Sequence, residues 1–276
     1  MKITKKQAVA IAIKEGKVYR DKLANTCLLI LYRDKDDNQL KTLEIEFQPD
    51  KYQHLTGLLL TTTDKEIGKN VIREHTALEF YHRCVDKPYI TEAEIEFKDP
   101  STIDLKMMAL PYITQITKIT KMSGEYNYSK PHLDADYIIG GINACIGVSK
   151  YDDRNTYFPR TCLKEDIRKI TTYTSPVLAI FQTQLPNNDS VYKHLRYVAK
   201  GVNLNNMHFP KNISDKISLE EYVSNVNNEK LIISKETEKM LMQKPHTKDK
   251  EDKTIDENDI INIGELDEEE YDYDNR

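Results

Sequence analysis

His54, Lys106, Asn127, Tyr128, Ser129, Lys130, Arg154, Tyr157, Arg160 and Thr161 carry side chains suited to phosphoryl chemistry, and they lie in one region of the sequence. Histidine transfers protons near neutral pH, arginine and lysine stabilise charge on a phosphorane-like oxygen, and hydroxyl groups donate to the same oxygens. RNA cleavage is the reaction for which so short a set suffices. The 2'-OH beside each phosphate is already the nucleophile, so a protein need add only a base, an acid and phosphate clamps. Other routes lack their signatures: there is no HExxH, Cys/His cluster or DxDxDG loop, no P-loop or GxGxxG, and no GxSxG. No cofactor is expected. The Arg, Ser-x-Ser and Glu elements of an ADP-ribosyltransferase are not evident either.

Each residue also has a structural alternative. His54 follows a turn and could cap a helix or loop; Thr161 could be the N-cap of LKEDIRKIT; Arg154 in YDDR could pair with Asp152 or Asp153. Lys106 could face solvent from a helix. Tyr126 and Tyr128 share a strand face and could be core or edge packing instead of stacking platforms for bases.

The elements that must position these residues are read from periodicity. Residues 4–24 have helical spacing with Thr4 as N-cap, and TCLLILYR (26–33) and LKTLEIEF (40–47) read as a β-hairpin. A helix is expected over 75–85, and EAEIEFK (92–98) reads as a short strand or extended linker. A second helix starts at Ser101, with Asp104 completing a near capping box, and Pro111 should kink or split it. From Gly124 the period becomes two: GEYNYS, DYIIGGINACIGVSK, NTYFPRTCL and SPVLAIFQTQL are four strand-like runs, the second bent by its glycines. SVYKHLRYVAKG (190–201) has helical spacing. The expected fold class is therefore α+β, helices followed by a four-stranded antiparallel meander, with an N-terminal helix and β-hairpin and a disordered acidic tail.

The chain has 276 residues and a net charge of -5. Residues 251–276 set twelve carboxylates against Lys253 and Arg276, a net of -10, which leaves residues 1–250 at +5. A mildly basic body is compatible with a phosphate-bearing partner. No apolar run is long enough to span a membrane, and Lys14 and Glu15 interrupt the apolar patch near the start, so a cytoplasmic protein without membrane contact is expected. The four cysteines are far apart and read as reduced and buried.

KYQHLTGL (51–58), ALEFYHRCV, LKMMALPYI, KMSGEYNYSK, GINACIGVSK and TYFPRTCLKEDI together resemble the phage-type nuclease domains of the barnase, EndoU, colicin and RelE-like superfamily, in particular its fourth phage-associated subfamily, over about residues 22–200. The resemblance implies a small α+β fold with an active site on the sheet face beside the preceding helices. It also implies metal-independent RNase activity of phage or mobile-element origin, as a toxin or effector. It places an HLTG motif on His54 to Gly57, a helix lysine at Lys106, an NxSK element on Asn127, Ser129 and Lys130, and a P-x-[ST] element on Pro159 to Thr161. His54, Lys130, Arg160 and Thr161 are the expected catalytic set: His54 as base or acid, Lys130 and Arg160 as phosphate binders, and Thr161 as donor to a non-bridging oxygen. Lys106, Asn127, Ser129 and Arg154 are the expected substrate contacts.

Four regions follow: 1–50, the helix and hairpin; 51–200, the nuclease-like domain; 201–243, peripheral helices; and 244–276, the tail. The expected partner is RNA, with an antidote or host protein as a further partner. The rival reading is a non-catalytic interaction or inhibitor protein built on a decayed nuclease fold, its acidic tail imitating nucleic acid.

Overall fold

The run from Thr26 to Tyr32 has no polar face, so as a strand it must be covered on both sides. In the computed structural model it is buried throughout, with Leu28, Ile30 and Tyr32 in one core and Cys27, Leu29 and Leu31 in another. The structure describes residues 2–66, 69–128, 133–186 and 191–226, which belong to one compact unit.

In chain order the elements are α1 (Lys5–Lys22), β1 (Thr26–Arg33), β2 (Leu40–Phe47), α2 (Tyr52–Thr56), β3 (Leu58–Glu66), β4 (Lys69–Glu74), α3 (Ala77–Val85), β5 (Ile95–Phe97), α4 (Ile103–Ile113), α5 (Ile116–Ile119), β6 (Met122–Glu125), β7 (Tyr137–Gly140), β8 (Cys145–Lys150), β9 (Tyr157–Leu163), β10 (Ser175–Gln184), β11 (His194–Val198) and α6 (Lys211–Ser214). Thr4 caps α1 in a capping box with Gln7, and Thr76 caps α3.

The expected helix-then-meander fold is overturned. The strands run in the order β1-β2-β9-β8-β7-β6-β10, and β10 pairs back onto β1, closing a seven-stranded mixed barrel to which β11 adds an eighth strand. The β2–β9 contact is parallel and the other neighbours in the ring are antiparallel. Two physical features account for the difference. DYIIGGINACIGVSK reverses after Gly140, where the Gly141 N–H donates to the Ala144 carbonyl, so one run supplies two strands. SPVLAIFQTQL is apolar on both faces and is buried between β1 on one side and β6 and β11 on the other, so it does not end a meander. The N-terminal hairpin is accordingly two staves of the barrel and not an appendage.

The helix expected over 190–201 is also corrected, because its centre is β11. β6 pairs only with Ser175 and Pro176 of β10, which leaves the edge from Ala179 to Gln182 open. Backbone pairing along that edge outweighs a weak helical spacing. A separate three-stranded sheet, β4-β3-β5, carries the chain between the helices. Of the C-terminal region, α6 and a helical segment at 220–226 are described. Residues 227–243 and the acidic tail at 244–276 lie outside the described residues.

The main core joins one face of the sheet to α1, α2, α3 and α4 through residues such as Ala12, Tyr52, Phe80, Met107, Ile146 and Cys162. This packing fixes α2 and α4 against β9.

Candidate active site

Three short elements converge, and local chemistry fixes each. In α2, Tyr52 and Leu55 are buried, and the Tyr52 hydroxyl donates to the Ala12 carbonyl of α1 at 2.6 Å, leaving His54 half-buried on the other side. Gly57 ends the helix at φ 68°, in the left-handed region, with its N–H donating to the Gln53 carbonyl at 3.2 Å. A Cβ on Gly57 would lie 2.8 Å from Lys106 Cδ. Glycine therefore serves both the turn and the passage of the lysine stem.

In α4 the expected Ser101–Asp104 capping box does not form. Asp99 instead accepts hydrogen bonds from Ser101 N at 2.9 Å, Ser101 Oγ at 2.6 Å and Thr102 Oγ1 at 2.9 Å, while Asp104 accepts from Ile3 N. Lys106, one turn into α4, directs Nζ to the His54 carbonyl at 3.4 Å.

In β9 the register passes from Gly147–Thr161 to Val148–Pro159, so Arg160 is the extra residue of a β-bulge. Bulges re-aim side chains, and this one points Arg160 at Asp134, which accepts from its Nε at 2.7 Å and from Nη2. Cys162 holds the three elements together: its thiol lies 3.2 Å from the Leu55 carbonyl of α2 and 3.6 Å from the Lys106 carbonyl of α4. Burial pushes that thiol up to about 12, so it stays a protonated donor.

The result is a pocket of about 260 Å³ lined by residues that include His54, Lys98, Lys106, Asp134, Arg160 and Thr161. Burial, followed by the charges of Arg160, Lys98 and Lys51, lowers the His54 pKa to about 4, so the imidazole is neutral at pH 7. Among the described residues no hydrogen bond engages its ring. Burial also lowers the Lys106 pKa. The two carboxylates of the pocket, Asp99 and Asp134, are occupied by the α4 turn and by Arg160. Besides these it presents a neutral imidazole, the Thr161 hydroxyl and the cations Lys98, Lys106 and Arg160, the last still paired with Asp134, a set that suits a phosphodiester anion. Among the described residues no group of three His, Cys, Asp or Glu side chains is placed to hold a metal ion.

Of the sequence-derived candidates, His54, Lys106, Arg160 and Thr161 meet here. Asn127 does not line the pocket; its Nδ2 donates to the Thr171 carbonyl at 3.2 Å. Tyr157 packs against Tyr137. Arg154 pairs with Glu46 at 3.2 Å and Asp153 at 3.8 Å beside a larger cavity of about 720 Å³, where the carboxylates Glu44, Glu46 and Asp50 outnumber the cations Arg154 and Lys216, a poor match for a phosphate. Ser129 and Lys130 lie outside the described residues. Lys98, Asp99, Thr102 and Asp134 were missed. The one sequence signal among them is Asp99-Pro-Ser-Thr, an Asx-turn pattern opening a helix.

A neutral histidine and several cations thus share one pocket. Residues 13–201 match the family model described as phage-Barnase-EndoU-ColicinE5/D-RelE like nuclease 4, and the chain belongs to that family of phage nucleases. Comparison with the curated proteins found no match, and neither did comparison with the solved structures. Membership makes nucleic acid the substrate class. Among the described residues no helix is long and apolar enough to cross a membrane.

Proposed function

We propose that the chain is a metal-independent endoribonuclease that cleaves by attack of the substrate's own 2'-OH. The observation that carries this reading is the convergence of an unengaged, neutral His54 with Lys98, Lys106, Arg160 and Thr161 on one pocket. His54 takes the proton from the 2'-OH as its oxygen bonds to phosphorus. Arg160 and Lys98 hold the non-bridging oxygens, and Thr161 donates to one of them. Lys106, whose burial eases loss of its proton, hands that proton to the departing 5'-oxygen. The products are a 2',3'-cyclic phosphate and a 5'-hydroxyl, and solvent returns the protons.

An arriving phosphate also tunes the base. Arg160 and Lys98, two of the cations that add to the burial in depressing the His54 pKa, line the pocket where the anion would neutralise them, so binding offsets their part of the depression at the moment a proton must be accepted. Lys130, expected from the sequence as a further phosphate binder, belongs to the same reading, as do the phage origin and the action as a toxin or effector.

Incubation of purified protein with total RNA in EDTA tests the proposal. Wild type should cleave, and His54→Ala should lose about 10²–10⁴-fold in rate while its thermal midpoint stays within a few degrees. Toxicity on expression should be relieved by the same substitution. Undiminished cleavage by His54→Ala would remove His54 from the mechanism.

A further inference from the structure

Tyr128 stands out on two independent grounds. The residue is 73% exposed, with Tyr89 at 72% the most open of the large hydrophobic residues among those described. It also holds a left-handed backbone at φ 58°, a conformation shared among described non-glycine residues only by Asn25 and Asn38. Asparagine enters that region through local hydrogen bonding of its short side chain, but a bulky aromatic has no such reason to be there. The chain leading into it is held by hydrogen bonds. The Tyr126 N–H donates to the Asp136 carbonyl, the Asn127 N–H donates to the Ile170 carbonyl, and the Asn127 side chain donates to the Thr171 carbonyl, so the chain before Tyr128 is pinned from both sides. Strain maintained in this way, with an aromatic ring presented to solvent, contributes nothing to a core and points to function.

The ring is also linked to the pocket through Tyr126. It packs on Tyr126 with centroids 5.1 Å apart. The Tyr126 hydroxyl accepts a hydrogen bond from the Leu133 N–H at 3.0 Å, and Leu133 and Asp134, the partner of Arg160, both line the phosphate pocket. Tyr128 is thus braced, at an interplanar tilt of 52°, by a buried tyrosine that also holds the backbone of a pocket-lining residue, while most of its own surface stays open. Aromatic platforms beside a basic groove hold single-stranded nucleic acid by stacking on its bases.

We infer that Tyr128, supported by Tyr126, is a nucleobase-stacking platform that holds a base of single-stranded RNA flanking the phosphate bound in the pocket. The inference rests on the nuclease reading above for the identity of the strand, and it makes the substrate unpaired RNA, since a base within a duplex is not free to leave its stack. A platform of this kind would bind with little regard to sequence, because every base has a π-face.

Binding of a fluorescein-labelled, uncleavable 2'-O-methyl single strand, followed by anisotropy, tests it against the same sugar-phosphate chain without bases. Tyr128→Ala should bind the base-bearing strand about five- to a hundredfold more weakly than wild type, Tyr128→Phe should stay within about twofold, and all three proteins should bind the base-free chain alike. Equal binding of the base-bearing strand by wild type and Tyr128→Ala would overturn the platform. So would an equal loss on the base-free chain, which would mark a structural defect, and so would a failure of wild type to bind the strand at all. A wild type that binds through Tyr128 but cuts no RNA would sustain the platform and defeat the nuclease reading alone.

Discussion

His54 works through its proton affinity, and the neighbours that set it make that affinity testable. Burial is the first cause of its pKa of about 4, followed by the charge of Arg160. Because kcat/KM reports groups of the free protein, its acid limb should fall near pH 4, well below that of an ordinary histidine. Arg160→Gln should move the limb upward while lowering the rate, and an unmoved limb would show that Arg160 does not face His54. Stability carries the same signature. The unfolded chain binds a proton at His54 near pH 6.5 and the folded chain does not until about pH 4, so the neutral site stabilises the fold above that range and this contribution is lost as the pH falls from 6.5 to 4. His54→Asn should flatten that part of the stability–pH curve. At this scale the sequence was informative for residues whose type is itself the signal, such as His54, Arg160 and Thr161. Lys98 and Asp134 are ordinary surface residues until folding brings them to the pocket, and nothing local distinguishes them.

Short elements, each with a specific local device, do the positioning. Gly57 is the clearest case, because an alanine there would meet both the cost of a left-handed backbone and Lys106 Cδ at 2.8 Å. Gly57→Ala should destabilise the protein by about 1–2 kcal/mol and also reduce cleavage by displacing Lys106. A stability loss with unchanged kcat would show that the lysine's position is not critical. The bulge at Arg160 depends on Gly147, where an added Cβ would lie 2.8 Å from Thr161 Cγ2. Helical spacing for α1 and α3, the Thr4 cap, the β-rich composition of β1 and the alternation of β2 made these elements legible, since those signals are local. β11 was not legible, because its strand pairing comes from an open edge on β10 that only the folded barrel has, and the Arg160 bulge is a matter of register between two strands, which one strand's sequence does not carry.

For the whole molecule, the barrel that carries β9 has its narrowest seam at the parallel contact of β2 with β9, paired at Ile45 and Tyr157. Beside it Glu46, 9% exposed at its side chain, accepts from Thr156 Oγ1 at 3.0 Å and pairs with Arg154. Arg154 therefore acts as a clasp on the seam, away from the pocket. Arg154→Ala should cost about 1 kcal/mol, since Thr156 still satisfies Glu46, and lower the midpoint by about 2–4 °C, with cleavage within about twofold of wild type. A large loss of cleavage at unchanged stability would return Arg154 to substrate binding. The closed ring was hidden in the sequence because a meander and a barrel share the same alternation, and only the two-faced burial of β1 and β10 separates them. The central claim is that the substrate's own 2'-OH is the nucleophile and His54 its base. It is tested most directly by analysing the ends produced from a single-stranded RNA and from the same strand carrying one 2'-deoxy residue at the cleaved position, in EDTA. Cleavage of the first to 2',3'-cyclic phosphate and 5'-hydroxyl ends, with the second left intact, is the predicted result; cleavage of the deoxy strand, or 5'-phosphate ends from either, would contradict it.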